Sequence, residues 1–162
     1  MAMKLRLLAF AVASGKLAYV FLIGDELMEW RVSDLPKRSP AKAIAWAKRN
    51  ITALVPDVIV TEDTRYAAKK GAPAKAMIEA IAALAEAGER LNPRIRRQHR
   101  YANKYEEAEA IAERYPELRP WLPGRWRRFF DNEPRNTVLF EAMANALCIL
   151  ADPAPSLARA LG

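Results

Sequence analysis

The chain opens with short apolar runs and changes period part-way along. Residues 5–12 are apolar, Gly15-Lys16 punctuates them, residues 17–23 form a second aliphatic and aromatic run closed by Gly24-Asp25, and residues 27–32 make a third. Strand-length runs separated by glycine-containing turns predict a three-stranded antiparallel meander. Ser39 before Pro40 reads as an N-cap with a first-turn proline, and Ile44, Trp46, Ala47 and Ile51 recur at helical spacing, so a helix is expected over 39–54. The β-branched run at 57–62 follows Pro56 and predicts a strand buried on both faces, ending in carboxylates. A basic loop over 64–71 then leads into an Ala-rich helix, 72–87, with Pro73 in its first turn, Gly88 at its C′ position and an apolar stripe of Met77, Ile78, Ile81, Leu84 and Ala85.

Residues 91–99 suit a fifth strand, although Arg94-Ile95-Arg96-Arg97 makes it polar for a central one. Asn103 with Glu106 three positions on resembles a capping box and opens a helix to Tyr115. Residues 116–134, with four prolines, Trp121 and Trp126, read as an irregular but partly packed excursion. The helical period returns over 136–150, where Leu139, Met143, Leu147 and Leu150 share a face. The order β-β-β-α-β-α-β-α-loop-α implies an α/β fold, a mixed sheet with helices on both faces. One domain over 1–151 with a short tail over 152–162 is expected.

Composition narrows the class. At 162 residues, 52% hydrophobic and 28% charged, the chain can bury a core without disulfides, and its one cysteine, Cys148, excludes an intrachain bridge or a cysteine-cluster metal site. The single histidine, His99, excludes a His-rich zinc site and reads as a strand-end polar residue. No apolar run has spanning length, and Met1-Ala2-Met3-Lys4-Leu5-Arg6 does not form a convincing signal peptide, so a cytoplasmic protein without a membrane role is expected. Charge adds a direction. The formal net charge is +7, and residues 90–128 hold eleven basic against five acidic side chains. Such a concentration is the footprint of a phosphate-backbone binder, since each neutralised phosphate releases counterions; a solvated basic face is the plainer alternative.

Two acids stand in places where a carboxylate is costly. Glu62 ends the buried strand, where it needs a partner or a cation, unless it and Asp63 simply begin a solvated loop. Glu141 interrupts an apolar helix and forms an i, i+4, i+8 polar stripe with Thr137 and Asn145; such a stripe is either the helix's solvent face or, turned to the strand ends, a partner for Glu62 around Mg²⁺. There is no Gly-rich phosphate loop and no convincing Ser/His/Asp or Cys/His pattern.

The segments Leu17-Ala18-Tyr19-Val20-Phe21, Pro56-Asp57-Val58-Ile59-Val60-Thr61-Glu62, Ala102-Asn103-Lys104-Tyr105-Glu106-Glu107-Ala108 and Phe140-Glu141-Ala142-Met143-Ala144-Asn145-Ala146-Leu147 occur in an order that resembles the RuvC-like branch of the RNase H-like superfamily, the Holliday-junction resolvases and their relatives. The resemblance spans about residues 5–150 and implies an RNase H-like mixed sheet, three antiparallel strands followed by parallel ones. It implies a metal-dependent, structure-selective endonuclease using Mg²⁺ or Mn²⁺, with Glu62 and Glu141 as catalytic ligands and Asp63 and Asn145 as weaker ones. Two features depart from the family: its strand-one Asp is absent from Ala9-Phe10-Ala11-Val12-Ala13-Ser14-Gly15, where Ala11 and Ala13 share a strand face, and the closing helix shows Glu141 and Asn145 where the family more often has two aspartates. Two-metal hydrolysis needs more oxygen ligands than remain, which pulls the reading toward a degenerate relative that binds branched or single-stranded DNA, or toward a protein-interaction module.

In the resolvases the segment after the strand-four Glu meets the junction. Here Tyr66 is placed to stack on a base while Arg65, Lys69 and Lys70 meet phosphates, with Lys104, Arg96, Arg97 and Arg127 as further DNA-binding residues; a surface loop with an incidental tyrosine fits the same sequence. Trp121 and Trp126 among Arg125, Arg127 and Arg128 suit either single-strand binding or packing. Ala76, Ala80, Ala83 and Ala87 beside the apolar stripe suggest a two-fold mate on the 72–87 helix.

Overall fold

The computed structural model describes residues 4–13, 15–98, 100–123, 136–153 and 157. Three strands, β1 (Arg6–Ala13), β2 (Lys16–Ile23) and β3 (Glu26–Ser33), form the expected antiparallel meander, followed by β4 (Val58–Glu62) and a two-residue β5 (Arg94–Ile95). The sheet order is β3-β2-β1-β4-β5, with β4 parallel to both β1 and β5. Among the described residues the helices around it are α1 (Leu35–Arg38), α2 (Pro40–Leu54), α3 (Ala72–Ala87), α4 (Lys104–Arg114) and α5 (Thr137–Ala151). Short 3₁₀ turns cover Thr64–Tyr66 and Pro116–Trp121. Among the described residues no helix is long and apolar enough to cross a membrane.

Strand parity divides the core in two. In β1, Leu7, Ala9 and Ala11 face a layer that includes Ala108 and Ile111 of α4 and Leu139, Met143 and Ala146 of α5. Leu8, Phe10 and Val12 face the opposite layer, with Ala43 and Ile51 of α2 and Met77, Ile81 and Ala85 of α3. Helices thus cover both sheet faces, and the inner stretches Leu7–Val12, Leu17–Leu22 and Val58–Val60 of the central strands are apolar because neither face meets water. The edge differs: β3 mixes buried, half-buried and exposed residues.

Sequence signals set most boundaries. Ser39 accepts a hydrogen bond from the Lys42 amide and starts α2 as an N-cap with Pro40 at its first position. Asn103 accepts from the amides of Tyr105 and Glu106 to start α4, and the Glu106 carboxylate reaches back to the Ala102 amide at 3.3 Å. Two expectations need correction. The strand expected over 91–99 shrinks to Arg94–Ile95 plus one bridge from Leu91 to Val58, because Pro93 has no N–H to give and β4 ends at Glu62, leaving later residues no partner strand. Gly88 is not the left-handed C′ residue; its φ is −87°, and Glu89 takes that conformation with φ 55° while the Arg90 amide bonds back to the Ala85 carbonyl.

Gly15 carries the tight connection from β1 to β2. Its φ is +76°, and a Cβ there would lie 2.9 Å from the Lys37 Cβ. Gly15→Ala is expected to cost about 1–2 kcal/mol, read as a lower urea midpoint with unchanged m-value; an unchanged midpoint would show that the turn relaxes without cost.

Candidate functional site

Glu62 is the last residue of β4 and is buried with its whole strand. The parallel ladder to β1 pairs Leu7 with Val58 and Ala9 with Val60, so two residues further along each strand stand Ala11 and Glu62, and both line one narrow void. Helix α5 crosses this face. Asn145, fully buried, donates its amide Nδ2 to the Phe10 carbonyl at 3.0 Å and docks the helix on β1. Glu141, one turn earlier, is thereby carried to the mouth of the same strands rather than to solvent.

The two carboxylates converge on an ammonium group. Lys70 Nζ donates to Glu141 Oε1 at 2.5 Å and to the Val12 carbonyl at 2.6 Å, and lies 3.9 Å from Glu62 Oε1. All three side chains are largely buried, with 14% of Lys70, 9% of Glu62 and 10% of Glu141 exposed. Arg97 adds a second cation: its Nη2 pairs with Glu107 at 2.6 Å and its Nη1 lies 3.8 Å from Glu141. Burial pushes the Glu62 carboxyl above the ordinary glutamate range; Lys70 draws it down and the like charge of Glu141 pushes it up again. Glu62 Oε1 and Asn145 Oδ1 are buried without a hydrogen-bond partner.

Around these groups lies a cleft of about 710 Å³ lined by Ala13, Glu62, Glu141, residues 66–71, Arg97 and Lys104. Tyr66 is half exposed at its rim, with the Arg96 guanidinium 4.4 Å and the Arg65 guanidinium 5.5 Å from its ring centroid. The loop is pinned from below, where Thr64 donates to Glu79 of α3 at 2.6 Å and Arg94 pairs with the same carboxylate. A second hollow, of about 890 Å³, lies across Arg97 and is lined by Arg65, Arg94, Arg96, Arg100 and Arg114. Arg94, Arg96, Arg97 and Arg100 therefore flank the cleft.

The other expected site residues separate. Asp63 faces away from Glu141: it caps the 3₁₀ turn and accepts from Arg65, whose guanidinium holds its carboxyl below the usual aspartate range. Lys69 is exposed, and Lys104 lines the cleft with its ammonium 5.6 Å from the Tyr105 ring centroid. Trp121 packs edge-on against Trp30, centroids 5.4 Å apart. His99, Arg125, Trp126, Arg127 and Arg128 lie outside the described residues. Sequence reasoning missed the Lys70 ion pair, because a lysine in a loop after a strand carries no mark of the helix, some seventy residues later, that will meet it. It also missed the network in which the buried Tyr19 hydroxyl donates toward Glu29 and Asn50.

The arrangement does not fit a pair of divalent ions. Among the described residues no group of three or more His, Cys, Asp or Glu side chains is placed to hold a metal. The strand neighbours of Glu62 are Ala11 on β1 and Ile95 on β5, neither of them a ligand, and an ammonium already contacts the acids. A hard divalent cation needs several oxygen ligands and is repelled by adjacent positive charge.

No protein-family model and no curated protein matches the sequence. Solved structures do match the fold. Thermus thermophilus RuvC is 13% identical with a TM-score of 0.65, over 94% of this chain and 98% of that one. A fowlpox virus resolvase bound to substrate Holliday junction DNA is 14% identical with a TM-score of 0.60, over 93% and 99%. Thermus thermophilus RuvC in complex with a Holliday junction substrate gives 11% and 0.56, over 89% and 94%. The fold is therefore a RuvC-like RNase H fold.

Proposed function

We propose that this RuvC-fold chain binds branched DNA across the cleft between β4, the 64–71 loop and α5. The observation that carries the reading is the basic and aromatic rim of that cleft, on a fold shared with proteins solved on Holliday junction DNA. Lys69, Arg65 and Arg96 supply exposed positive charge for phosphates, Tyr66 supplies a half-exposed ring for a base, and Arg97 and Lys104 line the floor and wall. Arg127 belongs to the same reading on sequence grounds alone. The convergence of Glu62 and Glu141 at a strand end favours a second reading, a junction endonuclease that works with Mg²⁺ or Mn²⁺; the ammonium between them favours binding without cleavage. A two-fold mate on α3 suits a branched substrate, and Ala76, Ala83 and Ala87 are exposed there; sedimentation as a monomer at high micromolar concentration would remove that part.

Binding is expected to favour a four-way junction over a linear duplex and to fall steeply with salt. Lys69→Ala and Arg96→Ala should each flatten the logarithmic salt slope by about 0.9 for every phosphate that is no longer neutralised. Fluorescence anisotropy with labelled junctions across a salt series checks this. No binding at low salt, or binding that ignores salt, overturns the proposal.

A further inference from the structure

We propose that Lys70 is the resident cation of this site: its ammonium fills the place between Glu62 and Glu141, so the protein keeps a buried carboxylate pair without a divalent metal. The proposal concerns the pair itself and holds whether or not the cleft binds DNA. Two carboxylates this buried and this close are tolerated only with positive charge or a proton between them. The structure supplies that charge from the chain. Of the three N–H bonds on Lys70, one goes to Glu141 and one to the Val12 carbonyl, and the head group lies 3.9 Å from Glu62 Oε1, an atom with no hydrogen-bond partner.

One ammonium thus joins β1 through Val12, β4 through Glu62, α5 through Glu141 and the loop before α3 through its own backbone. A divalent ion entering the same space would meet Lys70 and Arg97 together, with two carboxylates to hold it. It would also have to displace Lys70 from the Val12 carbonyl, an acceptor the ammonium already satisfies. The same bond fixes the cleft rim, because Tyr66 and Lys69 lie on the loop that Lys70 anchors.

The test uses the full chain stripped with chelator, then Mg²⁺ or Mn²⁺ alone, with melting temperature and calorimetric titration as readouts. Wild type and Lys70→Arg are expected to show no saturable response at millimolar metal. Lys70→Ala is expected to gain one, with the melting temperature rising about 5–10 °C at a hundredfold excess over Kd, and to lose it when Glu62→Gln and Glu141→Gln are added. Should Lys70→Ala fail to fold, amine acylation read by mass spectrometry decides: Lys69 should react several-fold faster than Lys70 in wild type, and Glu62→Gln with Glu141→Gln should narrow that gap. A saturable metal response of wild type that needs Glu62 and Glu141 overturns the proposal. So does a folded Lys70→Ala protein that ignores metal, or equal labelling of the two lysines in wild type.

Discussion

Glu62→Gln with Glu141→Gln is expected to cost about 3 kcal/mol of stability at neutral pH, clearly more than the two single changes together. With both acids gone, Lys70 keeps a buried ammonium with the Val12 carbonyl as its remaining partner, and breaking a buried pair from one side costs about 3–5 kcal/mol. The lower end applies because the Lys70 side chain is 14% exposed and can bring part of its charge to water along its own stem. Each single change is buffered by the acid that stays. When Glu141 is removed, Lys70 has Glu62 within 3.9 Å, and Glu62 loses its like-charged neighbour. When Glu62 is removed, the 2.5 Å bond to Glu141 remains. Urea denaturation of the four proteins of the cycle checks the claim, and additive single effects would show that Lys70 does not couple the two acids.

Glu62→Gln alone carries a pH signature. The Glu62 carboxyl is raised in the folded protein, chiefly by burial, so its contribution to stability is fully present below the unfolded glutamate value and is lost as pH rises through the folded one. The substitution removes that loss. It should therefore be close to neutral in acid and relatively stabilising as pH climbs from about 4.3 toward neutrality. Asp63 runs the other way, since Arg65 depresses its carboxyl and its contribution is lost as pH falls; comparing Glu62→Gln with wild type at each pH cancels that effect.

The same residues show what the sequence made legible. The meander, the buried fourth strand and the four long helices follow from local patterns: runs separated by Gly15 and Gly24, caps at Ser39 and Asn103, and apolar stripes on α3 and α5. Those signals lie within a few residues of what they determine. The four-residue α1 left no periodic trace, and β5 is short because Pro93 and the end of β4 limit it, a tertiary constraint that the arginine-rich run shows only as unusual polarity. At the site, Glu62 and Glu141 were legible because a carboxylate amid apolar neighbours needs a reason. Lys70 was not, since a basic loop offers several lysines and the choice between a phosphate and an acid depends on where α5 crosses β1. That crossing is fixed by Asn145 and by the packing of Leu139, Met143 and Ala146, none of which announces its partner strand.

Ala11→Asp combined with Lys70→Ala is expected to turn the site into a divalent-metal centre, binding Mn²⁺ on the order of tenfold more tightly than Lys70→Ala alone, since added ligand charge is what tunes such affinities. Ala11 stands beside Glu62 on the face that α5 covers, is 4% exposed, and shares a void with Glu62, so a carboxylate there joins Glu62 and Glu141 on one side of the sheet. Three acids without a cation repel one another in a buried place. The variant should therefore melt below Lys70→Ala in chelator and above it in millimolar Mn²⁺, a crossing that simple overpacking at position 11 would not produce. The RuvC-like resemblance places an Asp at the end of strand one, so the same variant is the one in which Mg²⁺-dependent cleavage of a four-way junction should rise above the wild-type level. Ala11→Asp with Lys70 retained is the control: its added charge should pair with the ammonium and leave the protein indifferent to metal. Equal Mn²⁺ affinity with and without Asp at position 11 would show that the strand-one position does not reach the Glu62–Glu141 pair.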